Sequence, residues 1–434
     1  MTDPRRVAIV VLGDLGRSPR MQFHALALAD DGVEVDLVGY AGKPASDLVT
    51  DHPRIRVHLL APPWRQRAPK ALFVPAALGG LAGQTLALGR LLATGLPRPD
   101  TILVQNPPAF PTLAVAPLVA SLRRARLIVD WHNFGADLLA LRLGAGNPLV
   151  RVARAAERRL GQAADAHLCV SAAMRDTLAA RWGVTDARVL YDRPARLAGP
   201  TPLAERRRLF DGLQLGVDPS SPTRPGIVIT SSSWTLDEDF GPLLEAMERY
   251  DAAARARPTL PDLLVLMTGD GPRRRHWEER IAALGLARVR TRTLWVLARD
   301  YPLLLGAADV GLSLHRSASG VDLPMKIVDM FGAGLPVCAL AYGPVLAEQV
   351  RAGENGLLFT TGAELGRQLE ELFDGFPGAT ARLDDLRRGV ARRATESWSD
   401  GWRREARDLF GGAVASSRSS GARRRRARDA GARS

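Results

Sequence analysis

The stretch Val310-Gly-Leu-Ser-Leu-His-Arg-Ser-Ala-Ser-Gly-Val-Asp-Leu-Pro-Met-Lys-Ile-Val-Asp-Met-Phe-Gly-Ala-Gly-Leu-Pro-Val-Cys-Ala-Leu340 decides the fold. An apolar run at 310–314 has strand length. It gives way to a Ser/Gly loop. From about Pro324 the pattern becomes helical, with proline at a position that suits a helix start. Gly332-Ala-Gly334 ends the helix, and a second apolar run follows at 336–340. Strand, crossover helix and strand in about thirty residues are the unit of a parallel sheet.

The same rhythm extends outward in both directions. Strands are expected at 226–231, 263–268 and 289–292 before this unit and at 356–359 after it, with helices from about 364 to 410 closing the chain. The first half repeats the scheme, with strands at 7–12, 34–40, 55–60, 101–105, 127–131, 167–170 and 187–191. Most of these runs are short and nearly continuous in Val, Ile and Leu, as strands covered on both faces are. Residues 193–225 break the alternation with several prolines and the cluster Glu205-Arg-Arg-Arg208, which reads as an interdomain connection. The expected fold class is therefore α/β: two doubly wound halves, with ligand in a crevice at the carboxyl ends of their strands.

Bulk properties narrow the function. The chain has 434 residues, too many for one ordinary core, and 46% hydrophobic residues, enough for two. Its formal charge of +13 is uneven. Residues 417–434 carry seven arginines and one aspartate and no apolar period, which reads as a disordered tail. Anionic lipid would attract such a run by roughly 1 kcal/mol per charge near the surface. No nucleic-acid module accompanies it, so nucleic acid is not an expected partner. Cys169 and Cys338 sit in apolar runs and read as buried thiols, not as a disulfide or metal site. No leader is read in Met1-Thr-Asp-Pro-Arg-Arg6. Residues 71–89 lack charge but hold Pro75, several glycines and Gln84, and follow Arg65, Arg67 and Lys70. They read either as a helix dipping into a membrane interface or as a buried domain helix.

Several loops after strands carry polar residues. In Gly13-Asp-Leu-Gly-Arg-Ser-Pro-Arg20, Ser18 suits an N-cap and Pro19 the first helical position, so a helix start would present free N–H groups beside Asp14, Arg17 and Arg20. This is either acceptor and phosphate contact or an ordinary strand-to-helix turn. Gln105-Asn-Pro-Pro108 is a proline-stiffened loop that reads first as a rigid linker and second as a sugar contact through Asn106. Asp130-Trp-His-Asn133 ends a strand with His132 as a candidate base or sugar ligand. Ser231-Ser-Ser-Trp-Thr235 puts hydroxyls before a helix start, suited to phosphate. Asp237 and Asp239 have an Asp-x-Asp spacing but better fit the first turn of that helix, so no metal site is expected. Thr268-Gly-Asp-Gly-Pro272 is a turn first and a nucleotide contact second. In the deciding stretch the Ser/Gly loop offers N–H groups to a diphosphate, while Lys326 and Asp329 share a helix face.

The run Pro324-x-Lys-x-x-Asp-Met-Phe-Gly-x-Gly-x-Pro-Val337 resembles the donor-binding signature of GT-B glycosyltransferases. With Asp14-Leu-Gly-Arg-Ser-Pro-Arg-Met21, Gln105-Asn-Pro-Pro108, Asp130-Trp-His-Asn133, Trp234-Thr-x-Asp-Glu-Asp-Phe240 and Tyr301-Pro-Leu-Leu-Leu-Gly306, the chain is similar to the chitobiosyldiphosphodolichol β-mannosyltransferase family from about Val7 to Phe359. The resemblance implies a GT-B fold of two Rossmann-like domains with parallel sheets facing across a cleft. It implies transfer of mannose from GDP-mannose to the 4-hydroxyl of the outer GlcNAc of a diphosphate-linked polyprenol, with inversion. The domains would be 1–195 on the acceptor side, 226–375 for the nucleotide sugar, 196–225 between them, closing helices at 376–412 and the tail at 413–434. Asp329 would hold the ribose. Ser317, Ser319, Gly320 and Lys326 would surround the diphosphate, with Ser232, Ser233, Thr235 and Gly269 nearby. Arg17, Arg20, Asn106 and Asn133 would face the acceptor, and Asp14 or His132 would be the base. No tightly bound cofactor is implied, and a divalent cation such as Mg²⁺ would act only as a stimulant. The protein would work peripherally at the cytoplasmic face of a membrane.

Three departures qualify the match. Val321 stands where the retaining GT-B families carry the first of two glutamates seven apart, which fits inversion. Ser233 to Asp239 occupy the region where those families place arginine and lysine, which shifts phosphate neutralisation toward Lys326 and Arg17. The membrane-spanning helix at the start of eukaryotic members has no counterpart here, and the Ala- and Arg-rich composition points to a bacterial or archaeal relative whose acceptor lipid need not be a dolichol. Two rivals remain from the sequence: a glycosyltransferase for another nucleotide sugar, and a binding protein that kept the fold without the catalysis.

Overall fold

The structure is a computed structural model that describes residues 5–62, 73–235, 238–378 and 380–411. Each of the thirteen strands read from the sequence is present: β1 (Arg6–Asp14), β2 (Glu34–Tyr40), β3 (Ile55–Leu60), β4 (Thr101–Asn106), β5 (Arg126–Trp131), β6 (Ala166–Cys169), β7 (Arg188–Val189), β8 (Gly226–Ser231), β9 (Leu263–Thr268), β10 (Val289–Leu294), β11 (Val310–Ser313), β12 (Val337–Leu340) and β13 (Gly356–Phe359). They form a seven-stranded sheet in the order β3-β2-β1-β4-β5-β6-β7 and a six-stranded sheet in the order β10-β9-β8-β11-β12-β13. β1 pairs in parallel with β2 and β4, and every neighbouring pair of the second sheet is parallel. Strand order reverses between β1 and β4 and between β8 and β11. In open α/β sheets the loops leaving the carboxyl ends at such a reversal are where ligands bind.

Alternation across the pleat explains why these strands read as unbroken apolar runs. Val228, Val265, Met267, Cys338 and Leu340 enter one core, with Leu243, Met247 and Tyr250 of the Gly241–Ala256 helix. Their neighbours Ile227, Ile229, Leu264, Leu266, Val337 and Ala339 enter the other, with Leu304, Ile327 and Met330. Both faces are covered, so period-two polarity is lost.

The stretch read as a connection is more than a linker. Leu203–Gly212 is a helix, and Phe210, Leu215 and Val217 belong to the second of these cores. Arg224 forks onto the fully buried Asp309 at 2.7 and 2.9 Å, and Arg206 at 3.5 Å and Arg387 at 3.1 Å approach the same carboxylate. Burial opposes the charge on Asp309, but Arg224 and Arg206 hold its pKa below the usual carboxylate range. Burial, with Arg224 adding repulsion, lowers the Arg206 value.

By packing, the chain divides into two compact units. One comprises the stretches up to Asp130, Glu157–Leu168, and from Trp402 on; the other comprises Trp131–Ala156 and Cys169–Gly401. The apolar 71–89 stretch contributes the Phe73–Arg90 helix, and no helix among the described residues is long and apolar enough to cross a membrane. The basic residues before it, and the arginine-rich tail, lie outside the described residues.

Candidate functional site

In the unit that carries the second sheet, two loops leave the carboxyl ends of β8 and β11. The β8 loop is organised by an acid not singled out in the sequence. Glu238 is buried and accepts the Trp234 N–H at 2.8 Å and the Ser232 hydroxyl. Ser232 Oγ in turn accepts the Trp234 N–H at 2.9 Å. These bonds hold Trp234 at a φ of +52°, a left-handed conformation that an aromatic residue keeps only when its surroundings fix it. Its ring is fully buried, stacked on Phe240 at 4.6 Å. Ser233 is exposed, and its hydroxyl lies 2.9 Å from that of Thr235.

Gly269 explains itself by space. It has a φ of +101°, and a Cβ there would collide with the Ser232 carbonyl oxygen; one at Gly271 would collide with that of Ser233. The Thr268–Gly271 turn therefore presses its backbone against the serine loop, as only glycine allows. Trp234 Nε1 donates to the Gly269 carbonyl at 3.2 Å.

Lys326 lies in the first turn of the Met325–Gly332 helix, which starts directly after Pro324. It donates to Glu238, giving an ion pair whose acid is 2% and whose base is 17% exposed. Asp329, one turn on, is half-buried. Burial and the neighbouring Asp192 push its carboxyl up to about 7. The Tyr301 hydroxyl, which burial and Asp329 push upward, lies 2.6 Å from the Ser231 hydroxyl at the end of β8. Asp192 also lines a cavity of about 320 Å³ with Tyr191, Leu323, Val328, Phe331 and Glu348, within the small-molecule range.

The β11 loop is tied to itself. Asp322 receives the hydroxyls of Ser317 and, at 3.2 Å, Ser319, and lies 3.2 Å from His315 Nε2. Burial opposes its charge, but the His315 and Ser317 contacts keep it below the usual range. Ser317 Oγ accepts the Gly320 N–H at 2.7 Å. The two serines expected to surround a diphosphate are thus directed at Asp322, and a phosphate would have to take them from it. Gly320, at a φ of +75°, has open space where a Cβ would stand. Asp239 lies ahead of the Gly241–Ala256 helix and not in its first turn, where it was expected; its Oδ1 accepts the Gly241 N–H at 3.0 Å and its carboxylate pairs with Arg316 at 2.9 Å. Asp237 lies outside the described residues. Among the described residues no group of three His, Cys, Asp or Glu is placed to hold a metal.

In the other unit, two residues read as facing an acceptor lie inside. Arg20 is 2% exposed and forks onto Asp130 at 2.8 and 2.9 Å. This corrects its reading as a surface contact: the first helix, Pro19–Asp30, turns it into the core, where a charge persists only when paired. His24 Nε2 is 3.2 Å from the same carboxylate, and Trp402 Nε1 donates to His24 Nδ1 at 3.1 Å. An indole N–H can only donate, so Nδ1 accepts and Nε2 carries the proton toward Asp130. Asn106 is also fully buried, and its Nδ2 donates to Glu157 at 2.7 Å, away from any sugar.

Asp14 and Arg17 remain at the surface. The side chains are 32% and 62% exposed and 3.7 Å apart, so both can meet a ligand. Ser18 is the N-cap residue as read, but its hydroxyl points to the Asp14 carbonyl instead of the helix N–H groups. His132 and Asn133 are half-buried. They stand beside the Trp131–Phe134–Trp182 aromatic cluster, whose rings lie 4.8 to 6.1 Å apart, and Asn133 Oδ1 accepts the Phe134 N–H at 2.8 Å.

Sequence reasoning missed Glu238, Asp322, His315 and Asp192. The first three lay inside quoted motifs. An acid set among hydroxyl residues, with a lysine elsewhere in need of a partner, was the available signal.

Comparison with known proteins agrees with this arrangement. Residues 18–195 match the glycosyl transferase 4-like domain, and residues 225–374 match glycosyl transferases group 1. The chain is 43% identical to the UDP-glycosyltransferase TURAN of Arabidopsis thaliana, over 93% of this chain and 97% of the relative. It is 38% identical to the chitobiosyldiphosphodolichol β-mannosyltransferase of Mus musculus, covering 92% and 87% of the two chains. For the human protein of that name the identity is 37%, covering 92% and 91%. Among solved structures, Anabaena HepE in complex with UDP superposes with a TM-score of 0.62 at 17% identity, covering 91% of this chain and 95% of the other. WaaG, a glycosyltransferase involved in lipopolysaccharide biosynthesis, gives 0.61 at 14%, covering 94% and 100%. These two likenesses establish the GT-B fold. Two glycosyltransferase domains and relatives of this identity along nearly the whole chain show that it belongs to the chitobiosyldiphosphodolichol β-mannosyltransferase family of glycosyltransferases.

Proposed function

We propose that this glycosyltransferase moves mannose from GDP-mannose to the 4-hydroxyl of a GlcNAc on a diphosphate-linked polyprenol, giving a β-1,4 linkage by inversion at the cytoplasmic face of a membrane. The observation that supports it best is the helix at the β8/β11 reversal, where Lys326 stands in the first turn and Asp329 one turn later. Residues 226–375 bind the nucleotide sugar and residues 1–195 bind the acceptor. Asp329 takes the ribose hydroxyls. Lys326 leaves Glu238 in part to neutralise the diphosphate, and Ser232, Ser233, Thr235, Ser317, Ser319 and Gly320 supply further donors. The acceptor oxygen attacks the anomeric carbon opposite the diphosphate, one base takes its proton, and GDP departs with the bonding pair. Asp14 and His132 are the candidate bases, with Arg17 and Asn133 toward the acceptor. Arg20 and Asn106 serve that side from the interior, Arg20 by tying the first helix to β5 through Asp130 and Asn106 by tying the end of β4 to Glu157.

A second reading, another nucleotide sugar as donor, is favoured by the name of the Arabidopsis relative and by the UDP bound to HepE. Purified protein is expected to yield a mannosylated product from GDP-mannose and a GlcNAc₂-diphosphate lipid, and to be stabilised thermally by GDP over UDP. Product only with a uridine-linked sugar, together with stabilisation by UDP alone, would replace the first reading with the second.

A further inference from the structure

We propose that the helical hairpin of Gly135–Leu143 and Pro148–Gly161 is the surface on which this protein seats itself against an anionic lipid bilayer. This deepens the proposed reaction and rests on its membrane-borne acceptor. Five large apolar side chains within fifteen residues face solvent: Leu138 at 37% exposure, Leu141 at 54%, Leu143 at 43%, Leu149 at 63% and Val152 at 66%. Single exposed leucines are ordinary, but a run of them on consecutive helices marks a contact surface. The tip is open as well. At Gly144 and Gly146 no atom stands within 4 Å of where a Cβ would be.

Charge selects the occupant. Arg142 and Arg151 are exposed beside these apolar groups. Arg154 ties the two helices together through Asp137 at 2.7 Å, while Glu157, the other acid of the hairpin, is buried. The accessible face is therefore apolar with a positive border, the pattern that enters the boundary between headgroups and acyl chains of acidic lipid. A second copy of the chain is a poorer fit. A two-fold contact would set this face against itself, arginine against arginine. Position adds to the case: the hairpin begins three residues after His132, so seating it on a bilayer brings the His132-Asn133 segment toward the surface that carries a lipid-linked sugar.

The test is vesicle flotation of the full chain with phosphatidylcholine vesicles, with and without phosphatidylglycerol. At about 0.5 M NaCl, where charge attraction by the arginine-rich tail is screened, the apolar insertion persists. Leu141→Glu/Leu149→Glu is expected to lower the bound fraction with phosphatidylglycerol vesicles at least tenfold while leaving the thermal midpoint in place. Leu118→Glu/Leu122→Glu, the same charge change at a more exposed site on the Thr112–Arg123 helix, is expected to leave binding unchanged. Binding unaffected by the first pair, or lost equally with both pairs, would overturn the proposal. So would a dimer broken by the first pair without any change in flotation. No sugar enters this measurement. Vesicle binding without mannosyl transfer would count against the reaction and leave the hairpin standing, and transfer without vesicle binding would do the reverse.

Discussion

Both units gather polar residues at the carboxyl ends of their central strands, yet they use them oppositely. After β1 and β5, Arg20, His24 and Asp130 form a closed buried lattice completed by Trp402, with side chains 0 to 2% exposed. After β8 and β11, Lys326, Glu238 and Ser233 form a lattice that stays partly open, with Lys326 17% exposed and the half-buried Asp329 one turn further along the same helix. The same residue types are struts in one place and a prepared binding surface in the other. Burial decides which, because a buried charge has a fixed partner and a half-exposed one can exchange it.

The sharpest way to break this contrast is to cut the buried lattice. Asp130→Asn leaves the Arg20 guanidinium inside with no carboxylate, and removing one partner of a buried ion pair costs about 3–5 kcal/mol. Urea unfolding is expected to show a loss of that size. A loss under about 1 kcal/mol would mean that water reaches Arg20 and that the two regions do not differ as described.

The open lattice is tested at Lys326. A charge-assisted bond to phosphate is worth roughly 1.5–3 kcal/mol, so Lys326→Ala should weaken GDP binding by about 10- to 100-fold in calorimetry. The variant also strands Glu238, which confuses ligand binding with stability. Lys326→Ala/Glu238→Gln should restore stability but not affinity. If it restores both, Lys326 is a strut like Arg20, and the prepared surface lies elsewhere.

What could be read in advance follows the same division. Strands β2, β8, β9 and β13 begin and end where the apolar runs do, because burial on both faces is written in adjacent residues. The Leu203–Gly212 helix was missed because half of its residues are charged, with Phe210 its one deeply buried side chain. Site residues were legible as residue types after strands. Their partners were not. Glu238 and Lys326 are 88 positions apart and Arg20 and Asp130 are 110 apart, so no local pattern couples them. Arg20 and Arg17 look alike in the sequence. Only the start of the Pro19–Asp30 helix between them turns Arg20 inward to 2% exposure and leaves Arg17 62% exposed.

The smallest expected effect concerns protons at Asp329. Burial and Asp192 raise its carboxyl to about 7, so near neutrality the group is divided between acid and carboxylate. The shift favours the protonated form in the folded chain. Its contribution to stability is therefore complete below the unfolded value near 4 and is lost as pH rises through about 7. Ligand binding runs the other way, since the carboxylate is the form that accepts two ribose hydroxyls. GDP affinity should then rise as pH goes from about 6 to 8, by at most about tenfold for one proton. Asp329→Asn should abolish that slope, and Asp192→Asn should move the midpoint to lower pH by removing the like charge. A wild-type affinity that stays flat across the interval, with Asp329→Asn binding equally well, would take the ribose away from Asp329. The raised carboxyl would then be a consequence of packing, and the nucleotide site would reduce to Lys326 and the serine loops.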